Sequence, residues 1–240
     1  MKRLLLIPLL TFTFACRESP TPESQAVTTA ETTTTQVTTS SPAETALPAP
    51  AVQGPKLAPV DEAGKDPSLV AFREELLAAV RSRNADAVIE LSDPKIRTSF
   101  GDGGGSAALR TALKPGVWEN FELLLSQGGS FQGESFWAPY VYSAWPDAHD
   151  AFTSLAITGE NIPLRESRDA GSRVIATLSR DIVQRAGEPG DQGEWQQVKT
   201  ADGHTGWVEA RYVSSPVGYR AGFLKNKEGK WQMNALVAGD

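Results

Sequence analysis

At 240 residues the chain has room for one or two domains, and 40% hydrophobic with 22% charged residues fits a soluble protein able to bury a core. A formal net charge of −6, with no concentrated basic run, argues against nucleic acid as a partner, because neutralising phosphates takes clustered Lys and Arg. The single Cys, Cys16, excludes an intrachain disulfide and a multi-Cys metal site.

Residues 1–16 start on Lys2 and Arg3, continue as an apolar run over 4–14 and end on Ala15-Cys16. A spanning helix needs about 20 apolar residues, so this shorter run reads as an export signal. Ala15-Cys16 after such a run resembles the signal of bacterial lipoproteins, although Thr13 stands where Leu or Val is usual and Phe14 is bulky for its place. The resemblance implies that Cys16 is the lipid-attachment residue and that the chain is held at a membrane of the cell envelope, on the outer-membrane or periplasmic side. Ordinary cleavage near Ala15, leaving a plain thiol, is the alternative.

Residues 17–65 are rich in Thr, Ser, Pro, Ala and Glu and have almost no large apolar residue before Leu47. Such a segment cannot bury enough surface to offset the entropy of ordering, which predicts a disordered linker. As a tether of about 50 residues it would reach on the order of 40 Å.

Residues 66–150 predict a helical α+β region. Asp66-Pro67 is a cap-then-Pro helix start, followed by Leu69, Phe72, Leu76, Leu77 and Val80 on one face. Asn84 is a stop, and a short helix over 85–91 ends at Asp93-Pro94, with a strand expected over 96–100. The run Gly101-Asp102-Gly103-Gly104-Gly105 lacks the Gly-Lys-Ser/Thr ending of a phosphate cradle and reads as a plain loop. Helices are expected over 107–113 and 117–127, the second with Trp118, Phe121, Leu124 and Leu125 on its apolar face. The aromatic stretch over 131–145 offers Phe136, Trp137, Tyr140, Tyr142 and Trp145. It reads first as core or domain-interface packing, with a sugar-stacking platform as the alternative.

The stretch from Trp195 to Tyr212 alternates as a hairpin. Asp202-Gly203 predicts a tight two-residue turn with both central residues at positive φ, and Gly206 marks a close backbone approach. Gly203-His204-Thr205-Gly206-Trp207-Val208 followed by Tyr212-Val213 resembles the closing signature of bacterial Src-homology-3-like (SH3-like) domains. Ile162-Pro163-Leu164-Arg165 is similar to their first strand, with Pro163 where Asn is usual, and Val174 through Leu178 is similar to the next. The resemblance covers residues 154–215. It implies a barrel of five or six strands, non-catalytic, which binds cell-wall peptides (peptidoglycan) or protein peptides through an aromatic-lined groove. Under it, Arg165 and Asp169 are expected as polar contacts, with Trp195, Trp207 and Tyr212 as the apolar wall. The competing reading makes Trp207 and Tyr212 barrel core.

Residues 216–240 predict two strands joined at Asn226-Lys227-Glu228-Gly229, a C-terminal hairpin expected to pack back on the helical region so that the barrel interrupts one α+β unit. That last likeness, a helix pair completed by a late strand, weakly resembles cystatin-like rolls.

Chemistry is not expected. No Cys remains outside the export boundary, and His149 and His204 lie in loops without nucleophile or metal-ligand spacing. Glu119, Glu122 and Glu134 have nothing that sets a glycosidase separation. The sequence thus leads to an exported envelope protein with a binding module and no catalytic residue, cofactor or metal. The alternative is a structural subunit of an envelope complex in which the barrel is only a scaffold.

Overall fold

The computed structural model describes residues 49–101, 103–187 and 193–239. The export signal, Cys16 and most of the linker lie outside the described residues, as does most of the acidic loop 188–193.

Asp66 starts helix α1 (Pro67–Arg81) from extended backbone, its carboxylate accepting the Ser68 N–H with Pro67 at the first helical position. Leu69, Phe72, Leu76 and Val80 are buried along one face. Asn84 caps α2 (Ala85–Glu90) by accepting from the Ala87 N–H. Strand β1 (Ser92–Arg97) then begins earlier than the 96–100 expected. Pro94 stops a helix, but an edge strand tolerates its missing N–H, and β1 is an edge. Helices α3 (Gly105–Ala112) and α4 (Val117–Ser126) follow, with Trp118, Phe121, Leu124 and Leu125 of α4 buried. Within the glycine run Gly104 allows close packing: a Cβ there would stand 2.6 Å from the Ile96 carbonyl oxygen.

The aromatic stretch forms β2 (Ser130–Gln132), β3 (Ser135–Ala138) and the short helix α5 (Tyr140–Ser143). Its aromatic side chains are buried or half-buried. Phe136 and Tyr140 are buried, and Phe131 meets Phe136 edge-on with ring centroids 5.3 Å apart.

The barrel follows as β4 (Ser154–Ile157), β5 (Ile162–Arg165), β6 (Val174–Leu178), β7 (Ile182–Arg185), β8 (Trp195–Lys199), β9 (Thr205–Glu209) and β10 (Val213–Ser214). Their order is β10-β4-β7-β8-β9-β5-β6, seven short strands where five or six were expected. The additional pairing comes from β4, whose Leu155 and Ile157 are buried and which joins β7 to β10. The barrel has its own core, including Leu164, Ala176, Leu178, Val198 and Val208.

The last two strands, β11 (Arg220–Lys225) and β12 (Trp231–Val237), leave the barrel and complete the other sheet, whose order is β1-β12-β11-β3-β2. β12 runs parallel to β1, and β11 runs antiparallel to β3, placing Phe223 opposite Phe136. The barrel is therefore inserted between the halves of one α+β unit, as the hydrophobic alternation of the hairpin led one to expect. Gly222 sits in mid-strand because the Trp137 indole lies over it, 2.9 Å from where a Cβ would be.

Residues 49–65 correct the sequence expectation of a linker disordered through Lys65. Val52 and Leu57 are buried anchors. Val52 N–H donates to the Thr177 carbonyl at 2.9 Å, Leu57 N–H to Arg180 at 2.8 Å, and Ile182 N–H to Pro55 at 2.8 Å. Lys56 Nζ meets the fully buried Asp181 carboxylate at 2.6 Å. Glu62 N–H then donates to the Gly129 carbonyl at 2.9 Å, next to β2. The segment is a strap laid first along the open edge at β6 and then at the β2 edge, stitching both sheets. Two apolar anchors and one lysine are too sparse to show as a strand pattern in a Pro-rich sequence.

Where the strap meets α1, Arg73 donates both terminal nitrogens to the Asp61 carboxylate at 2.7 Å each. These hydrogen bonds from Arg73 hold the Asp61 carboxyl below the usual carboxylate range. Asp66 is lowered as well, first by Lys225 of β11 and then by Ser68. A carboxyl with a depressed folded-state pKa contributes stability that is present above its unfolded value, about 4, and lost as pH falls through the folded value. Stability is therefore expected to be flat from neutral pH to about 4 and to fall below it. In Asp61→Asn the fall should be shallower, as measured by urea midpoints across the acid range.

Candidate functional site: a groove beside Trp195

Strands β8 and β9 pair with Trp195 opposite Glu209, Gln197 opposite Trp207, Val198 opposite Gly206 and Lys199 opposite Thr205. Val198 and Val208 are fully buried, so period-two alternation puts Trp195, Gln197, Trp207 and Glu209 on the outer face. The connection is not the two-residue turn expected. Thr200 N–H donates to the His204 carbonyl at 2.9 Å, and Gly203 alone of the Asp202-Gly203 pair has positive φ, at 93°. Three residues span the loop, and the extra one shifts the register by one position.

Gly206 permits β5 to approach: a Cβ there would stand 2.6 Å from the Arg165 carbonyl oxygen. That approach sets Arg165 opposite Trp207. Arg165 Nη1 donates to the Ser172 carbonyl at 2.8 Å, tying the strand to the loop over 166–173. The base of this loop is closed by Arg173 on Glu166 at 3.0 Å, which holds the Glu166 carboxyl below its usual range. Asp169 shapes the tip, its Oδ1 accepting from Gly171 N–H at 2.9 Å. The loop carries Arg168 over the Trp207 face, with the guanidinium carbon 4.0 Å from the ring centroid.

Between the loop and β8 lies a groove of about 520 Å³ lined by Ala170, Glu194, Trp195, Glu209, Ala210 and Arg211. Its wall is the half-buried Trp195, and its rim carries both charge signs, with Arg211 Nη2 2.7 Å from Glu209. An aromatic face with polar groups around it can stack on and orient a ligand. Its described lining residues include no nucleophile–base pair.

Of the residues expected at the site, Trp195 lines the groove. Arg165 and Asp169 build the adjoining loop, so their polar atoms serve the scaffold first. Trp207 is on the outer face beneath Arg168. Tyr212 leans on the barrel core, covered by the Arg211 guanidinium at 4.7 Å, and does not line the groove. Both are half-buried: Tyr212 packs against the barrel core, whereas Trp207 lies on the outer face. Sequence reasoning missed Arg168, Ala170, Glu194, Glu209 and Arg211. Under a two-residue turn Glu209, like Trp207, would have faced the barrel interior, and the others depend on how the loop folds.

Elsewhere, Glu119 and Glu122 pair with Arg83 at 2.6 Å and Arg81 at 2.9 Å, bracing α4 against the end of α1. His204 sits in the β8–β9 loop, where its N–H donates to Thr200 Oγ1 at 2.9 Å. His149 lies at the junction with the barrel, where its carbonyl accepts the Trp145 indole N–H at 2.8 Å. No group of three His, Cys, Asp or Glu that could hold a metal ion occurs among the described residues.

Comparison with curated proteins gives no match. Residues 160–214 match the bacterial SH3 domain family, and the barrel that carries the groove is a bacterial SH3 domain.

Proposed function

We propose that this is an exported cell-envelope protein, lipid-anchored through Cys16, whose SH3 domain is a non-catalytic module that binds wall-derived or protein peptides. The observation that carries the reading is the groove itself: a half-exposed Trp195 facing the loop tip at Ala170, on a barrel of a family whose members suggest peptide or cell-wall binding. An exposed indole in a concave site contributes large contact area at low entropy cost, the character of a binding hot spot. The basic start, apolar run and Ala15-Cys16 support export and anchoring.

In retention assays on purified wall fragments, Trp195→Ala is expected to lower affinity by roughly 10- to 100-fold, the range of a hot-spot truncation. Its thermal midpoint should stay near that of the parent, because the indole is not in the barrel core. Unaltered wall binding in the variant would sink the reading. Absence of wall retention together with a co-purifying envelope protein would favour the scaffold alternative. A mass measurement of the mature N-terminus checks the anchor separately.

A further inference from the structure

A second concave site lies at the other end of β8. Trp195 and Lys199 are four residues apart on the strand, about 13 Å, so this site is separate from the groove. It is a cavity of about 260 Å³ lined by Pro55, His149, Ser154, Ile182, Val183, Gln184, Lys199, Thr200 and Ala201. Three segments distant in sequence converge on it: the strap, the junction before β4, and the β7–β8 pair.

Its chemistry is one-sided. Pro55, Ile182, Val183 and Ala201 supply an apolar lining, while Lys199 supplies an ammonium and His149 an imidazole. In a chain of net charge −6 the cavity is lined by no carboxylate. Of the neighbouring acids, Asp181 is paired with Lys56, Asp150 is bound within its own loop, and Asp202 is bound both to its loop and to the strap. Asp150 accepts the N–H groups of Phe152 and Thr153, and Asp202 accepts from Thr200 Oγ1 and Gln53 N–H. Lys199 Nζ and the His149 ring have no hydrogen-bond or ion-pair partner among the described residues. Ser154 and Gln184 add neutral polar groups at the wall.

We infer that this cavity binds a small organic carboxylate, with Lys199 and His149 receiving the anionic end and the Pro55–Ile182–Ala201 surface receiving a short apolar body. The volume falls below the ~300–1,000 Å³ of sites for drug-sized ligands, which restricts the occupant to a small acid or the last residue or two of a peptide. Because Pro55 belongs to the strap, an occupied cavity also favours the docked strap by linkage.

His149 and His204 are the two histidines of the chain, so ring-proton NMR of the full-length protein reads the site directly. The probes are butyrate and N-acetyl-dialanine, each against its amide. The expected result is a saturable shift of the His149 resonances by at least one free acid, not reproduced by the amides. Lys199→Gln should weaken it about tenfold or more, as loss of a charge-assisted contact would, and Trp195→Ala should leave it unchanged. Butyrate acting alone identifies a free small acid; N-acetyl-dialanine acting more strongly identifies a peptide terminus. Amides matching the acids, equal shifts with inorganic phosphate, or no weakening in Lys199→Gln would each overturn the inference. Because the groove assay rests on Trp195, the two sites fail or stand independently.

Discussion

Ending the chain at residue 216 is expected to unfold the helical half while the barrel stays folded. The deletion removes β11 and β12, adjacent strands in the interior of the order β1-β12-β11-β3-β2, so β1 loses its strand partner and β3 is left with β2 alone. Phe223 and Met233 are fully buried, and Trp231 and Leu236 nearly so. At about 1.5–3 kcal/mol for each large buried side chain, these four alone approach the 5–15 kcal/mol net stability of an ordinary domain. Phe223 also touches Phe72 of α1 edge-on, with centroids 5.9 Å apart, and Trp231 donates to Ser68 at 3.1 Å, so α1 loses its floor. The barrel core is made by other residues, from Leu155 to Val208. In amide NMR of the truncated chain, barrel resonances should remain dispersed while those of residues 67–138 collapse toward random-coil shifts. A truncated protein that keeps its helical circular dichroism would show that the hairpin is an accessory.

The second large effect is expected at Lys56. Its ammonium is the cation on Asp181, a carboxylate with no exposure of its own, which otherwise accepts from the Ser179 N–H at 2.6 Å. Removing one partner of a buried pair leaves the other charge uncompensated, a loss of 3–5 kcal/mol when both are buried. Lys56 itself is 44% exposed, so a loss of about 2–3 kcal/mol is expected for Lys56→Met. Because the strap is joined to the barrel by single backbone hydrogen bonds at Pro50, Val52, Pro55 and Leu57, not by a continuous ladder, the loss should appear as local release. Protease cleavage within 50–60 should accelerate, and the urea midpoint should fall. Adding Asp181→Asn should recover part of the loss, since an amide buried in the same place costs less than an unpaired carboxylate. Unchanged cleavage in Lys56→Met would mean that the apolar anchors hold the strap by themselves.

These two expectations concern parts of the molecule that were unequally legible beforehand. The helices could be read directly: Asp66-Pro67 sets a cap, and Leu69, Phe72 and Leu76 recur at a spacing only a helix uses. The return of the final hairpin to the helical half was also legible, because two alternating apolar strands beyond the barrel needed a sheet to join. The groove was half legible. Trp195 could be placed outside by its strand phase. Trp207 could not, because a two-residue turn at Asp202-Gly203 would set it opposite Val198 and inside the barrel. The loop holds one residue more, and in a period-two structure one residue exchanges the faces.

The sequence by itself therefore determined what is local and periodic: the helices, the strands, the module they build, and the absence of cysteine chemistry from the folded part. Tertiary structure alone decided what depends on elements distant in the chain meeting. That includes the Pro-rich strap held to both sheets through Lys56 and Asp181, the Arg168 guanidinium over Trp207, and the seam cavity shared by Pro55, His149 and Lys199. The physical reason is range. Helix and strand patterns are set by interactions a few residues apart, whereas a single ion pair or one apolar anchor leaves no periodic trace until its partner, some 125 residues further along, is brought beside it.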